Sequence, residues 1–212
     1  SVGLDGTNLI TFADDSDLLG TTTLAATFSW FRIESGDVVF READIAFNPV
    51  FDLTTSGEAN RFDIQGMLTH EIGHMLGLDH SGIISSVMAP FASPEQIDQR
   101  TLQYDDMAGV GEIYPNGDFA SGVGSITGRV RSNSVPVFGA HVVAMNEDGT
   151  SLVAILSDED GEYELGSLPP GDYRIYAEPL DLPVSSDQLP GFFNGIRTDF
   201  DVTYFGGTRF LA

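Results

Sequence analysis

The chain has 212 residues, 42% of them hydrophobic, which suits one large domain or two small ones with packed cores and excludes a disordered chain. Its formal net charge is −23, with 32 acidic residues against 9 basic ones, and all nine are arginine. So little basic surface excludes nucleic acid as a partner and reads instead as an acidic surface kept soluble by its own repulsion, in keeping with a saline extracellular setting. No apolar run reaches the 18 residues or more that a membrane span needs, and cysteine is absent, which fits a secreted protein that does not rely on disulfides.

In chain order, Leu9-Ile10-Thr11-Phe12 reads as a short strand and Asp14-Asp15-Ser16-Asp17 as a polar loop. The β-branched and aromatic runs Thr21 to Phe31 and Val38 to Phe47 predict two further strands. Asp63 has the chemistry of a helix N-cap, and Ile64, Leu68, Ile72, Met75 and Leu76 recur at helical spacing as a buried stripe. Ser93-Pro94-Glu95-Gln96 has the form of a capping box opening a short turn of helix. A helix is expected from about Gln103 to Ile113, stopped by Pro115. Asn116 to Ser125, rich in glycine and without sustained periodicity, reads as a linker.

Beyond it the pattern changes to short strand-like runs, Ser125 to Val130, Val137 to Met145, Leu152 to Leu156, Glu162 to Leu165 and Tyr173 to Ala177, separated by Gly/Asp/Pro turns. That is the rhythm of a small β-sandwich. Asp158 and Asp160 belong to an Asp-Gly turn, and His141, alone in a strand, reads as packing.

The segment His70-Glu71-Ile72-Gly73-His74-Met75-Leu76-Gly77-Leu78-Asp79-His80 holds three of the four histidines. A helix turns once in about 3.6 residues, so His70 and His74 project from one face and can offer ring nitrogens to one metal at about 2.0–2.1 Å. Glu71 then lies beside the metal without ligating it, where a base for a zinc-bound water belongs. Gly77 can take φ > 0, end the helix and turn the chain so that His80 reaches the same ion. Three protein ligands leave one position open, as a catalytic rather than a structural zinc requires.

This pattern is the metzincin signature, and Ser86-Val87-Met88-Ala89-Pro90 follows at the distance where metzincins place a methionine turn, with Met88 beneath the metal. His70 to Ser81 resembles the matrixin branch, the matrix-metalloproteinase-like enzymes. Leu102 to Gly109, with Asp105 and Asp106, resembles the third matrixin helix, Leu24 to Phe28 the edge strand above the cleft, and Ala43 to Phe47 the strand leading to the zinc helix. Further on, Gly128-Arg129-Val130, Asp160-Gly161-Glu162-Tyr163 and Leu168 to Tyr173 resemble the carboxypeptidase-regulatory-like, or transthyretin-like, domain.

The resemblance implies an α+β chain: a metzincin-type zinc-protease domain at 1–116 (a twisted sheet with a zinc helix and a C-terminal helix), a linker at 117–124, and a small all-β sandwich at 125–212 as a non-catalytic accessory module. It implies a secreted zinc endopeptidase acting on protein or peptide substrates. Backbone groups of Leu24 and Ala25 would pair with the extended substrate, Pro90 would line the pocket beyond the scissile bond, and Asp105 and Asp106 would anchor the methionine turn. One zinc is expected, since Ala26 stands where the family often has a histidine for a second. Asn48-Pro49-Val50-Phe51 replaces the family's acidic calcium ligands, which leaves calcium a lesser expectation.

Two strands and a long helix of the family fold have no counterpart before Leu9, so they are expected from an upstream fragment or a partner chain. Residues from about 125 onward are expected to be dispensable for peptide cleavage. The alternative reading is an adhesion or assembly protein that works through its β-sandwich and carries a vestigial protease scaffold.

Overall fold

The computed structural model describes residues 2–12, 18–181, 183–188 and 195–205, and the chain falls into two units, Ser1–Leu78 with Ala92–Thr101 and Asp79–Phe91 with Leu102–Ala212. The polar loop read at Asp14–Asp17 and the last seven residues lie outside the described residues. No described helix is long and apolar enough to cross a membrane.

The first unit is built on strands β1 (Ile10–Thr11), β2 (Ala25–Glu34) and β3 (Asp37–Phe47) in the order β1-β3-β2. β1 runs parallel to β3 and β2 antiparallel to it, with Thr27 opposite Ile45. β2 and β3 extend further toward each other than composition suggests. They meet in a two-residue turn, Ser35-Gly36, both at positive φ (55° and 98°), the backbone a tight hairpin demands. A short pair, β4 (Leu53–Thr54) and β5 (Phe62–Asp63), leads into helix α1 (Ile64–Met75).

Asp63 caps α1, accepting the Gly66 amide at 2.7 Å, and its carboxylate is also gripped by Arg100 Nε at 2.9 Å and Nη2 at 2.5 Å. The Arg100 guanidinium holds the Asp63 carboxyl below the usual carboxylate range. The capping-box pattern at Ser93 does not open a helix; a 3-10 turn forms later, at Asp98–Arg100, and it places Arg100 on that cap.

Ile45, Phe47 and Met67 form the buried centre of this unit, with Leu24, Ile64 and Leu68 packed around it. The buried line of α1 departs from the expected stripe: Gly66, Met67, Glu71 and Gly73 are its buried residues, while Ile72 is 39% exposed. Met67 and Glu71, one turn apart, face inward because glycines lie beside them and let other groups approach closely. A Cβ on Gly66 would come within 3.2 Å of Gln99 Cβ.

Alternation along β3 turns Glu42 and Asp44 to the sheet face opposite Ile45. Both are buried, and residues of this chain supply their partners. Asp44 accepts the amides of Gly3 and Leu9, and Glu42 those of Asp5 and Gly6. The exposed large apolar side chains of β2 and β3, Phe31, Ile33, Val38 and Phe40, belong instead to the hairpin beyond a bulge at Trp30/Phe31.

The second unit joins the 79–91 loop, helix α2 (Tyr104–Ile113), the one-turn helix α3 (Gly117–Ala120) and strands β6 (Gly124–Arg129), β7 (Arg131–Ser132), β8 (Val135–Pro136), β9 (His141–Met145), β10 (Ser151–Leu156), β11 (Glu162–Leu168), β12 (Arg174–Glu178) and β13 (Thr203–Tyr204). Among the described residues β10-β9-β12-β13 form one antiparallel sheet and β11 pairs with β6. The run read as a linker thus holds α3, capped by Asn116 on the Phe119 amide at 2.9 Å, before β6 begins.

Val130, Val137, Val142, Ala144, Val153, Leu165 and Ile175 are buried between these strands in one cluster that also takes in Ala108 of α2. Tyr104 donates to the Ser167 carbonyl at 2.8 Å, and Ser167 donates to Glu112 at 2.5 Å, so α2 shares a core and hydrogen bonds with the strands that follow it.

Candidate metal centre

Helix α1 carries His70 and His74 one turn apart, with their Nε2 atoms 3.1 Å from each other. Gly77 takes φ 98° and the Gly77 and Leu78 amides fold back on the carbonyls of His74 and Gly73, so the helix ends and the chain turns. That turn brings the Leu78 carbonyl to His74 Nδ1, at 2.9 Å. A carbonyl only accepts, so Nδ1 carries the proton and the lone pair of His74 lies on Nε2.

His80 is held the same way, its Nδ1 2.6 Å from the Gln188 carbonyl. His70, His74 and His80 each offer a nitrogen within 4.8 Å of the others, the one cluster of three or more metal-ligating side chains among the described residues. An all-nitrogen set of neutral imidazoles, with main-chain carbonyls fixing two tautomers, fits zinc.

Glu71 follows His70 directly on α1 and is only 5% exposed. Thr27 Oγ1, from β2, lies 2.7 Å from Glu71 Oε2 and 2.9 Å from the Glu71 carbonyl. Burial pushes the Glu71 carboxyl up to about 7, against the pull of the Thr27 hydrogen bond. Sequence reasoning passed over Thr27 as one strand residue among several. Its signal was a hydroxyl three residues into an otherwise apolar segment, on the face that alternation turns toward α1.

Met88 is buried at the end of a loop closed by the Ser81 N–H, which donates to the Met88 carbonyl at 2.8 Å. Asp106, 2% exposed, accepts from Ser86 Oγ, from the Val87 and Met88 amides at 3.0 Å each, and from the Gln103 amide at 2.8 Å. Asp105 divides its oxygens between Ser81 Oγ at 2.6 Å and the Ala154 amide of β10 at 3.0 Å; burial pushes its carboxyl up. Pro90, next along, is half-buried.

β2 is an edge of its sheet among the described residues. The Leu24 carbonyl accepts the Asn48 amide at 2.9 Å, so it turns inward. By alternation the backbone groups of Ala25 turn outward. Asn48 is fully buried and donates to the Gly20 and Thr23 carbonyls, so the position where calcium ligands were looked for holds a structural amide.

Residues 12–115 match the family model described as Matrixin, and residues 125–186 that of the Carboxypeptidase regulatory-like domain. Residues 12–115 are a matrixin domain. Matrilysin of Rattus norvegicus is 40% identical over 60 residues, covering 28% of this chain and 22% of that protein. Metalloendoproteinase 1 of Glycine max is 36% identical over 63 residues, covering 30% and 20%, and Metalloendoproteinase 1-MMP of Arabidopsis thaliana 46% over 68 residues, covering 31% and 18%. The chain thus spans about a fifth of the length of these curated relatives. A matrixin domain implies the metzincin fold, here followed by an all-β region.

Proposed function

We propose that this chain is a secreted zinc endopeptidase that cleaves extended protein or peptide substrates. The observation that carries the reading is the cluster of three histidine nitrogens with a buried, hydrogen-bonded glutamate immediately beside its first member. His70, His74 and His80 hold the zinc in this reading. Bound there, zinc supplies Lewis acidity and makes water acidic enough to lose a proton near neutrality.

Glu71 is the residue that takes that proton and later returns it to the leaving amine. Burial raises this carboxyl to about 7 in the metal-free protein, and the charge of a bound zinc would favour the carboxylate form that accepts the proton. Thr27 orients the carboxylate through Oε2. β2 offers the substrate an edge to pair with, chiefly through Ala25, while Leu24 is committed to Asn48. Asp106 and Asp105 hold the Met88 turn and the 81–88 loop, and Pro90 borders the primed side of the site. In module terms, 1–116 is the protease domain, 117–124 the junction and 125–212 a β-sandwich of the regulatory-like type.

Elemental analysis paired with a quenched-peptide assay tests the reading. One zinc per chain is expected, with cleavage lost on chelation and restored by zinc. A folded chain that binds zinc and cleaves no peptide would favour an adhesive or assembly role.

A further inference from the structure

Within the second unit, a 3-10 turn that follows strands β6 to β12 touches the candidate metal centre's third ligand. His80 Nδ1 meets the carbonyl of Gln188, 108 residues further along, at 2.6 Å. Gln188 sits in a 3-10 turn, Ser186–Gln188, that is closed on itself: its amide donates to the Ser185 carbonyl at 3.0 Å and its side-chain Oε1 accepts the Ser185 amide at 2.8 Å. Leu180 and Val184, both buried, fix the segment leading into that turn.

Two more ties hold the residues just after His80 to the same strands. Ser81 is bonded to Asp105, whose other oxygen takes the Ala154 amide of β10. Gly82 closely approaches the ring of buried His141 on β9, where an added Cβ would lie 2.4 Å from Nε2.

From these contacts we infer that the backbone carbonyl of Gln188 is a positioning group for His80, fixing its Nδ1–H tautomer so that Nε2 is presented as a ligand. The all-β region is therefore part of the metal site's construction, rather than an appendage that cleavage can do without. The inference rests on the reading of the histidine cluster as a zinc site for its consequence, but not for the hydrogen bond itself. The physical ground is general: the partner of a ligating imidazole's other nitrogen sets its tautomer and orientation, and losing it typically costs 10–100-fold in metal affinity. For His74 that partner is local, four residues away; for His80 it comes from the far end of the chain.

The test uses the full-length chain. In the metal-free wild type, nitrogen-15 NMR of the imidazoles is expected to report His80 as the Nδ1–H tautomer. An Nε2–H tautomer, or a population averaged between the two, would overturn the proposal without any variant. Zinc affinity, measured by competition with a chelator, is then compared for Gln188→Ala, which removes the acceptor for the Ser185 amide and loosens the turn, and Gln188→Glu, which keeps an acceptor oxygen. Gln188→Ala is expected to bind zinc at least tenfold more weakly with its His80 nitrogen-15 shifts displaced, and Gln188→Glu to stay close to wild type. Unchanged affinity and unmoved shifts in Gln188→Ala sink the proposal. A wild type that shows the expected tautomer yet binds no zinc keeps the hydrogen bond and discards the function proposed above, so the two failures are distinct.

Discussion

The first two histidines and the third are held by different kinds of structure. His70 and His74 ride on α1, where the helix repeat alone sets their separation and the carbonyl that fixes His74 is four residues away. His80 stands on a loop outside any helix or strand. Its orientation depends on Gln188, and the residues beside it depend on Asp105, Asp106 and His141. A helix places ligands by local geometry; a loop must borrow its rigidity from partners distant in sequence. The two halves of the ligand set should therefore fail in different ways.

The largest effect is expected on the helix side. Glu71→Gln keeps the shape of the buried side chain and its contact with Thr27 but cannot take a proton. Peptide cleavage should fall by about 10²–10⁴ or more while zinc content stays at one per chain. Wild-type kcat/KM in this variant would remove Glu71 from the mechanism.

On the loop side, Asp106→Ala removes the buried carboxylate that accepts from the Val87, Met88 and Gln103 amides and the Ser86 hydroxyl, a loss on the order of 3 kcal/mol. Hydrogen exchange should speed up across 81–88 and leave the α1 amides protected. Equal loss of protection in α1 would erase the distinction drawn between the two halves.

The third expectation concerns pH in the metal-free protein. Glu71 is raised on folding from an ordinary 4.5 to about 7. Folding favours its protonated form, so that stabilisation is complete below about 4.5 and is lost as pH rises through about 7. The loss is on the order of 3 kcal/mol. Urea titrations across this window should show it, and Glu71→Gln, having no proton to lose, should flatten that part of the profile.

The smallest effect is expected for Thr27→Val. It removes the one hydrogen bond that draws the Glu71 carboxyl downward, so the acid limb of the cleavage profile should move to higher pH, with a rate loss of about tenfold. An acid limb that stays in place would mean that Thr27 serves packing alone.

Legibility in the sequence followed the same division. α1 and its Asp63 cap, the span of α2 and the strands β9 to β12 all lie close to where composition and periodicity put them, because each is announced within a dozen residues. Errors arose where a distant partner intervened. Ile72 looked like core by spacing, but the glycines on α1 let Met67 and Glu71 take the inner line. Asn116 to Ser125 looked like a free linker, yet Ala108 and Tyr104 of α2 before it pack in one cluster with Leu165 and Leu168 of β11 after it, and Tyr104 donates to the Ser167 carbonyl. Thr27 could be read as a strand residue but not as the partner of a carboxylate 44 positions away.

By itself, then, the sequence determined the identity of the histidines, the helical register that pairs two of them, the glycine that ends the helix and the adjacency of Glu71. All are consequences of spacing along one element. Tertiary structure alone decided the environment of those groups: the burial that brings Glu71 to about 7, the Thr27 hydroxyl that orients it, the Asp106 carboxylate that gathers the Met88 turn, and the Gln188 carbonyl against His80. Desolvation and hydrogen bonding act through distances in space, and a chain states those distances only once its remote segments have packed together.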